Sequence, residues 1–162
     1  RKLIKTLNIP IKVMIRPKAG DFCYNGHEIK EMLDDIAYFK SLDVYGIVLG
    51  VLNDNNTVDI ILTNELVDAA GILEVTFHKA IDSCDNILEE LRMIIKNTRV
   101  SSVLTSGGFG DAFAGYEIIR EMIKIAKKNI SIIVAGSVTG DNILSLHKLI
   151  KGNQYHGKRI VG

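Results

Sequence analysis

Short runs that are apolar on both faces alternate along this chain with longer segments whose apolar residues recur at helical spacing. The short runs are Ile11-Lys-Val-Met-Ile-Arg16, Tyr45-Gly-Ile-Val-Leu-Gly-Val51, Leu73-Glu-Val-Thr-Phe77, Ser101-Ser-Val-Leu-Thr105 and Ile130-Ser-Ile-Ile-Val-Ala135, with Gln154-Tyr-His-Gly157 as a brief sixth. Rich in Val and Ile and bounded by Gly, Pro, Asn and Ser, they read as strands. Between them the 3.6-residue period predicts helices over residues 28–42, 59–70, 85–95, 112–127 and 141–150. Asp59 and Asp85 are the expected caps of the second and third, and Gly71 stands where a helix-ending glycine belongs. Ile61, Leu62, Leu66 and Ala70 are expected to face inward on the second helix, and Ile143, Leu144, Leu146 and Leu149 on the last. Residues 1–7, with Leu3, Ile4 and Leu7 as a stripe, read as the end of a further helix.

Strands with no polar face belong in a parallel sheet covered by helices on the outside. Most strand starts recur at roughly 28-residue intervals, about the length of one unit of an eight-stranded α/β barrel. The expected fold is therefore a TIM-type (β/α)8 barrel, here incomplete, with six strands and their flanking helices forming one partial domain over residues 1–162. Two missing strands would leave open sheet edges. A fragment, a shortened chain, or a form completed by another subunit, including a homo-oligomer, is the corresponding expectation.

Charge and composition narrow the partners. A net charge of +1 gives no field suited to nucleic acid or an anionic membrane surface. The denser lysines, Lys124, Lys127 and Lys128 and then Lys148 and Lys151, fall late in predicted helices, where they face solvent and favour the negative helix end. No apolar run reaches the roughly 20 residues of a membrane span. Two cysteines, Cys23 and Cys84, suggest reduced thiols and a cytoplasmic setting rather than a disulfide scaffold.

The chemistry collects after residue 73. Along a strand Leu73, Val75 and Phe77 point one way and Glu74, Thr76 and His78 the other. His78, Lys79 and Asp82 then fall at or beyond the strand's C-terminal end, where barrels place their sites. By the same reasoning Arg16, Ser106, Gly136 and His156 ring one mouth. Arg16 suits a carboxylate or phosphate, or else a salt bridge to Asp21 or Asp82 that closes the barrel top. His78 can be a general base, a metal ligand or a structural imidazole. The glycine-containing turns at Ser106, Gly107, Gly136 and Ser137 can cradle an anion with backbone amides, or serve as ordinary turns. Cys23, Cys84, His78 and His156 are thiol and imidazole donors of the kind that soft Cu(I) prefers, although no tight spacing joins the cysteines.

Several motifs occur in order: Val13-Met-Ile-Arg-Pro17, Gly20-Asp-Phe22, Gly46-Ile-Val-Leu-Gly-Val-Leu52, Val75-Thr-Phe-His-Lys-Ala80 with Asp82, and Leu104-Thr-Ser-Gly107. From about Ile9 to His156 the chain resembles the CutC copper-homeostasis family, whose members adopt an eight-stranded α/β barrel. The resemblance makes the six strands the third to the eighth. It implies copper homeostasis, with bound copper as an expected ligand. The cysteines usually proposed to bind that copper lie in the two N-terminal units that have no counterpart here. The family's Gly-rich end of the seventh strand is here Ala135-Gly136-Ser137-Val138, and the last residues, Lys158 to Gly162, leave the family pattern. The alternative reading from the residues is a barrel enzyme whose mouth binds a small anionic substrate through Arg16, His78, Asp82 and Ser106.

Overall fold

The computed structural model describes residues 9–161, so the helix expected over residues 1–7 lies outside the described residues. Six strands form one sheet: β1 (Lys12–Met14), β2 (Gly46–Leu49), β3 (Glu74–Phe77), β4 (Ser102–Thr105), β5 (Ser131–Val134) and β6 (Gln154–Tyr155). Each pairs in parallel with the next, in the order β1-β2-β3-β4-β5-β6. A doubly wound sheet reverses its strand order at a switch point. This sheet never does, and the result is a half-barrel of α/β type. Five helices lie between the strands: α1 (Gly26–Lys40), α2 (Ile60–Ala70), α3 (Ile87–Asn97), α4 (Tyr116–Ala126) and α5 (Ile143–Ile150).

The core forms because each strand turns one set of side chains toward the helices. Ile47, Leu49, Val75, Phe77, Val103, Ile132 and Val134 pack there with Met32, Ile36, Leu66, Leu91, Ile94, Ile119, Met122 and Leu146. Burying a side chain of this size contributes about 1.5–3 kcal/mol relative to exposure. The opposite set, including Met14, Val48, Thr76, Leu104 and Ile133, lines the concave face of the half-barrel around a cavity of about 650 Å³.

Helix starts depart from the sequence reading by a few residues, and side-chain caps explain the departures. Asn25 accepts from the amides of His27 and Glu28 while Glu28 reaches back to the Asn25 amide, so this capping box starts α1 earlier, at Gly26. Asp59 caps α2 as expected, but Asn86 rather than Asp85 caps α3, accepting from the Glu89 amide. Asp111 holds the Ala114 amide in a turn ahead of α4, which delays that helix to Tyr116. Ile61, Leu144 and Leu149, expected inward, are 85%, 73% and 42% exposed because each sits off its helix's buried stripe.

Candidate functional site

All strands run the same way, so their C-terminal ends open on one mouth, and β3 delivers His78 to it. The His78 amide bonds to the Leu49 carbonyl at 2.7 Å, extending the β2–β3 ladder one residue beyond the strand. The chain then turns into a 3-10 segment, Lys79–Ser83, and the imidazole caps it: Nδ1 accepts from the Ala80 amide at 3.1 Å. A backbone N–H can only donate, so Nδ1 carries no proton and the neutral ring bears its hydrogen on Nε2. Nε2 is buried and has no hydrogen-bond partner. Burial, reinforced by the charge of Arg16, lowers the His78 pKa to about 4. At neutral pH His78 is thus an uncharged N–H donor with nothing to donate to.

Two neighbours make this placement possible. Gly50 lies beside the ring, and a Cβ there would press on Nδ1 and come 2.5 Å from Cε1, so only glycine leaves room. Phe22, from the β1–α1 loop, covers the imidazole with ring centroids 5.0 Å apart. The same Phe22 ring carries the Arg16 guanidinium, whose central carbon stands 4.6 Å from its centroid. Arg16 donates to the Gly20 carbonyl at 2.9 Å. Neither carboxylate considered for it from the sequence is its partner: Asp21 pairs with Lys18 at 3.3 Å and Asp82 with Lys79 at 3.6 Å. No carboxylate among the described residues neutralises Arg16, and its side chain reaches solvent.

Asp82 does different work. Its carboxylate accepts from the Thr105 hydroxyl, the Ser106 amide at 2.9 Å and the Gly108 amide at 3.1 Å, with Ser106 Oγ 3.0 Å away. Ser106 Oγ also lies 2.6 Å from the Phe109 carbonyl, and the Gly107 amide donates to Thr105 Oγ1 at 2.8 Å. Asp82, Ser106 and Gly107 therefore form one network that fixes the β4–α4 loop, and the lone pairs of Asp82 are engaged within the protein.

Gly136 and Ser137 both have positive φ, at 98° and 55°. Gly136 backs onto Ser106, where an added Cβ would fall 2.8 Å from Ser106 Cβ. Together with His156, Lys158 and Arg159 they line a second cavity, of about 290 Å³. Of the anion-binding residues chosen from the sequence, Ser106 and Gly107 share the Asp82 network, Gly136 backs onto it at Ser106, Ser137 lines the second cavity, and Arg16 stands with His78 at Phe22.

The candidate metal ligands are not gathered. Cys23 is half-buried beside Phe22. Cys84 is buried, its Sγ 3.9 Å from the Ala80 carbonyl, and burial together with nearby acidic groups pushes its thiol up to about 12. Among the described residues no three His, Cys, Asp or Glu side chains come together in a metal-holding group.

Several contributors escaped the sequence reading. Phe22 was visible only as part of a motif. Gly50, inside an apolar strand, carried the usual signal of a glycine that admits a neighbour's close approach. Lys12 is the charged residue of β1; its Nζ lies 2.9 Å from Thr76 Oγ1 and 3.4 Å from Ser102 Oγ on the concave face. Burial lowers its pKa, and Glu74 opposes that effect.

The CutC family profile matches residues 1–161. A family protein CutC of Histophilus somni is 40% identical over 158 residues, covering 95% of this chain and 65% of the relative. One from Glaesserella parasuis is 36% identical, covering 91% of this chain and 60% of the relative. The chain thus spans slightly less than two thirds of the length of these relatives. A crystal structure from Streptococcus agalactiae, described as a candidate copper homeostasis protein CutC, superposes with a TM-score of 0.92 at 27% identity. That match covers 99% of this chain and 78% of the other.

Proposed function

This chain belongs to the CutC family, and from that premise we infer that its C-terminal mouth recognises a small anionic ligand through Arg16 and His78. The observation that carries this reading is the pair of groups meeting at Phe22: a cation held by the Gly20 carbonyl but, among the described residues, without a carboxylate partner, and a buried N–H without an acceptor. A buried donor left unpaired costs about 1–3 kcal/mol. A ligand oxygen on Nε2 would recover that cost while its charge meets Arg16. The second cavity, with Ser137, Lys158 and Arg159, extends the same basic character along the mouth.

Copper is attached by description to the Streptococcus agalactiae protein. The resident donors argue against a copper site built from the described residues. Metal binding at His78 Nε2 requires its proton to move to Nδ1, which already faces a donating amide. A thiol pushed up to about 12 offers little thiolate at neutral pH. A role in cytoplasmic copper homeostasis would then run through the ligand held at the mouth, in a reducing compartment that suits two free thiols. Among the described residues no helix is long and apolar enough to cross a membrane.

Calorimetric titration with inorganic phosphate tests the reading. Binding is expected in wild type and at least about tenfold weaker in Arg16→Gln, the loss of one charged hydrogen bond. No heat from phosphate, or equal affinity in both proteins, would overturn it. Titration with Cu(I) against a competing chelator tests the copper alternative: tight binding lost in Cys23→Ser and Cys84→Ser would favour the metal site.

A further inference from the structure

We propose that the anion recognised at this mouth also carries a carbonyl oxygen, which His78 holds and polarises through Nε2–H. This deepens the anion reading and rests on it. His78 presents a donor and no free acceptor, because Nδ1 is committed to the Ala80 amide. Whatever meets Nε2 must therefore accept a hydrogen bond. A second charge is not called for, since Arg16 already supplies the cation and the imidazole beside it is neutral. The choice then lies between a hydroxyl and a carbonyl. A hydroxyl that accepts from Nε2 keeps a hydrogen of its own to place, and the ring that stays against His78 once Phe22 gives way is Phe77. The nearby carboxylate of Asp82 is engaged with the β4–α4 loop. A carbonyl oxygen has no hydrogen to satisfy and fits this apolar surround.

A neutral imidazole that donates to a carbonyl withdraws electrons from it without losing its own proton, a way of activating carbonyl compounds that other barrels use. The ligand class is thus a small oxo acid or keto phosphate. Nε2 is closed off beneath Phe22. Binding must accordingly displace that ring from the imidazole, and the ligand takes the place of the aromatic contact. His78 would then touch the ligand, whereas Asp82 and Gly50 only position the surrounding backbone and ring.

Two matched pairs provide the test: pyruvate against lactate, and dihydroxyacetone phosphate against glycerol 1-phosphate, with inorganic phosphate as reference. Affinities are compared in wild type, His78→Asn and His78→Gln. The Asn oxygen can still accept from the Ala80 amide but offers no donor at the Nε2 position, whereas Gln places its amide N–H near that position. In wild type the keto member of at least one pair should bind about tenfold more tightly than its hydroxy partner, the worth of one hydrogen bond. That preference should vanish in His78→Asn and partly return in His78→Gln. The 13C carbonyl resonance of the bound keto ligand should move downfield in wild type, less so in His78→Gln, and not in His78→Asn. If phosphate binds but keto and hydroxy members are held alike, the carbonyl inference is overturned and the anion reading stands. If phosphate itself fails to bind, both fall.

Discussion

Acidification should unfold this protein through His78. In the folded chain the imidazole is 3% exposed and its pKa is lowered to about 4, against 6.5 for the free group. Between those values the unfolded chain binds a proton that the folded chain refuses, so folding stability rises with pH across that window. The contribution is fully present above about pH 6.5 and is lost progressively as pH falls toward 4. The difference corresponds to about 3 kcal/mol, a large share of a small domain's stability. Carboxylates also titrate in this range, so the comparison that isolates His78 is with His78→Asn, whose side-chain oxygen can keep the Ala80 cap but cannot titrate. Urea unfolding followed by circular dichroism at pH 7 and at pH 4 gives both stabilities. Wild type should lose about 3 kcal/mol more than the variant over that interval. Equal losses would mean that His78 is either exposed or charged in the folded state, and the donor assigned to Nε2 would go with it.

Three further substitutions bear on the same geometry. Gly50→Ala would drive a methyl group into the imidazole, costing about 1–3 kcal/mol of stability and weakening anion binding, read by urea melts and calorimetry. Asp82→Ala strands the donors of Thr105, Ser106 and Gly108; a loss of about 2–4 kcal/mol and faster amide exchange at Ser106 and Gly108 are expected. Asn25→Ala removes the capping box of α1 and should cost about 1 kcal/mol, measurable as a lower Tm, while leaving the mouth's affinity intact.

The strands were legible because being apolar on both faces leaves little choice of architecture, and the sequential order of β1 to β6 follows from their even spacing. Helix starts were less legible: hydrophobic period locates a helix body, whereas its first residue depends on which Asn or Asp turns its side chain onto a free amide. Asn86 displaced Asp85 in that role, and sequence alone ranks the two alike. At the site, strand alternation placed His78 on the correct face, and strand ends placed Arg16 near it. What alternation could not show was the protonation of His78, which depends on an amide two residues later, or the ring of Phe22, which arrives from a different loop. Asp82 illustrates the converse. A carboxylate beyond a strand end reads as chemistry until its four neighbouring donors are counted, and those donors belong to a loop about 24 residues downstream.

Long-range 1H–15N correlation of the His78 imidazole, recorded at pH 7 with and without phosphate in wild type and Arg16→Gln, tests the recognition pair most directly. The expected result is a neutral ring protonated on Nε2, whose Nε2–H resonance shifts on phosphate addition in wild type and stays still in Arg16→Gln. A charged ring, a proton on Nδ1, or an Nε2–H indifferent to phosphate would contradict it.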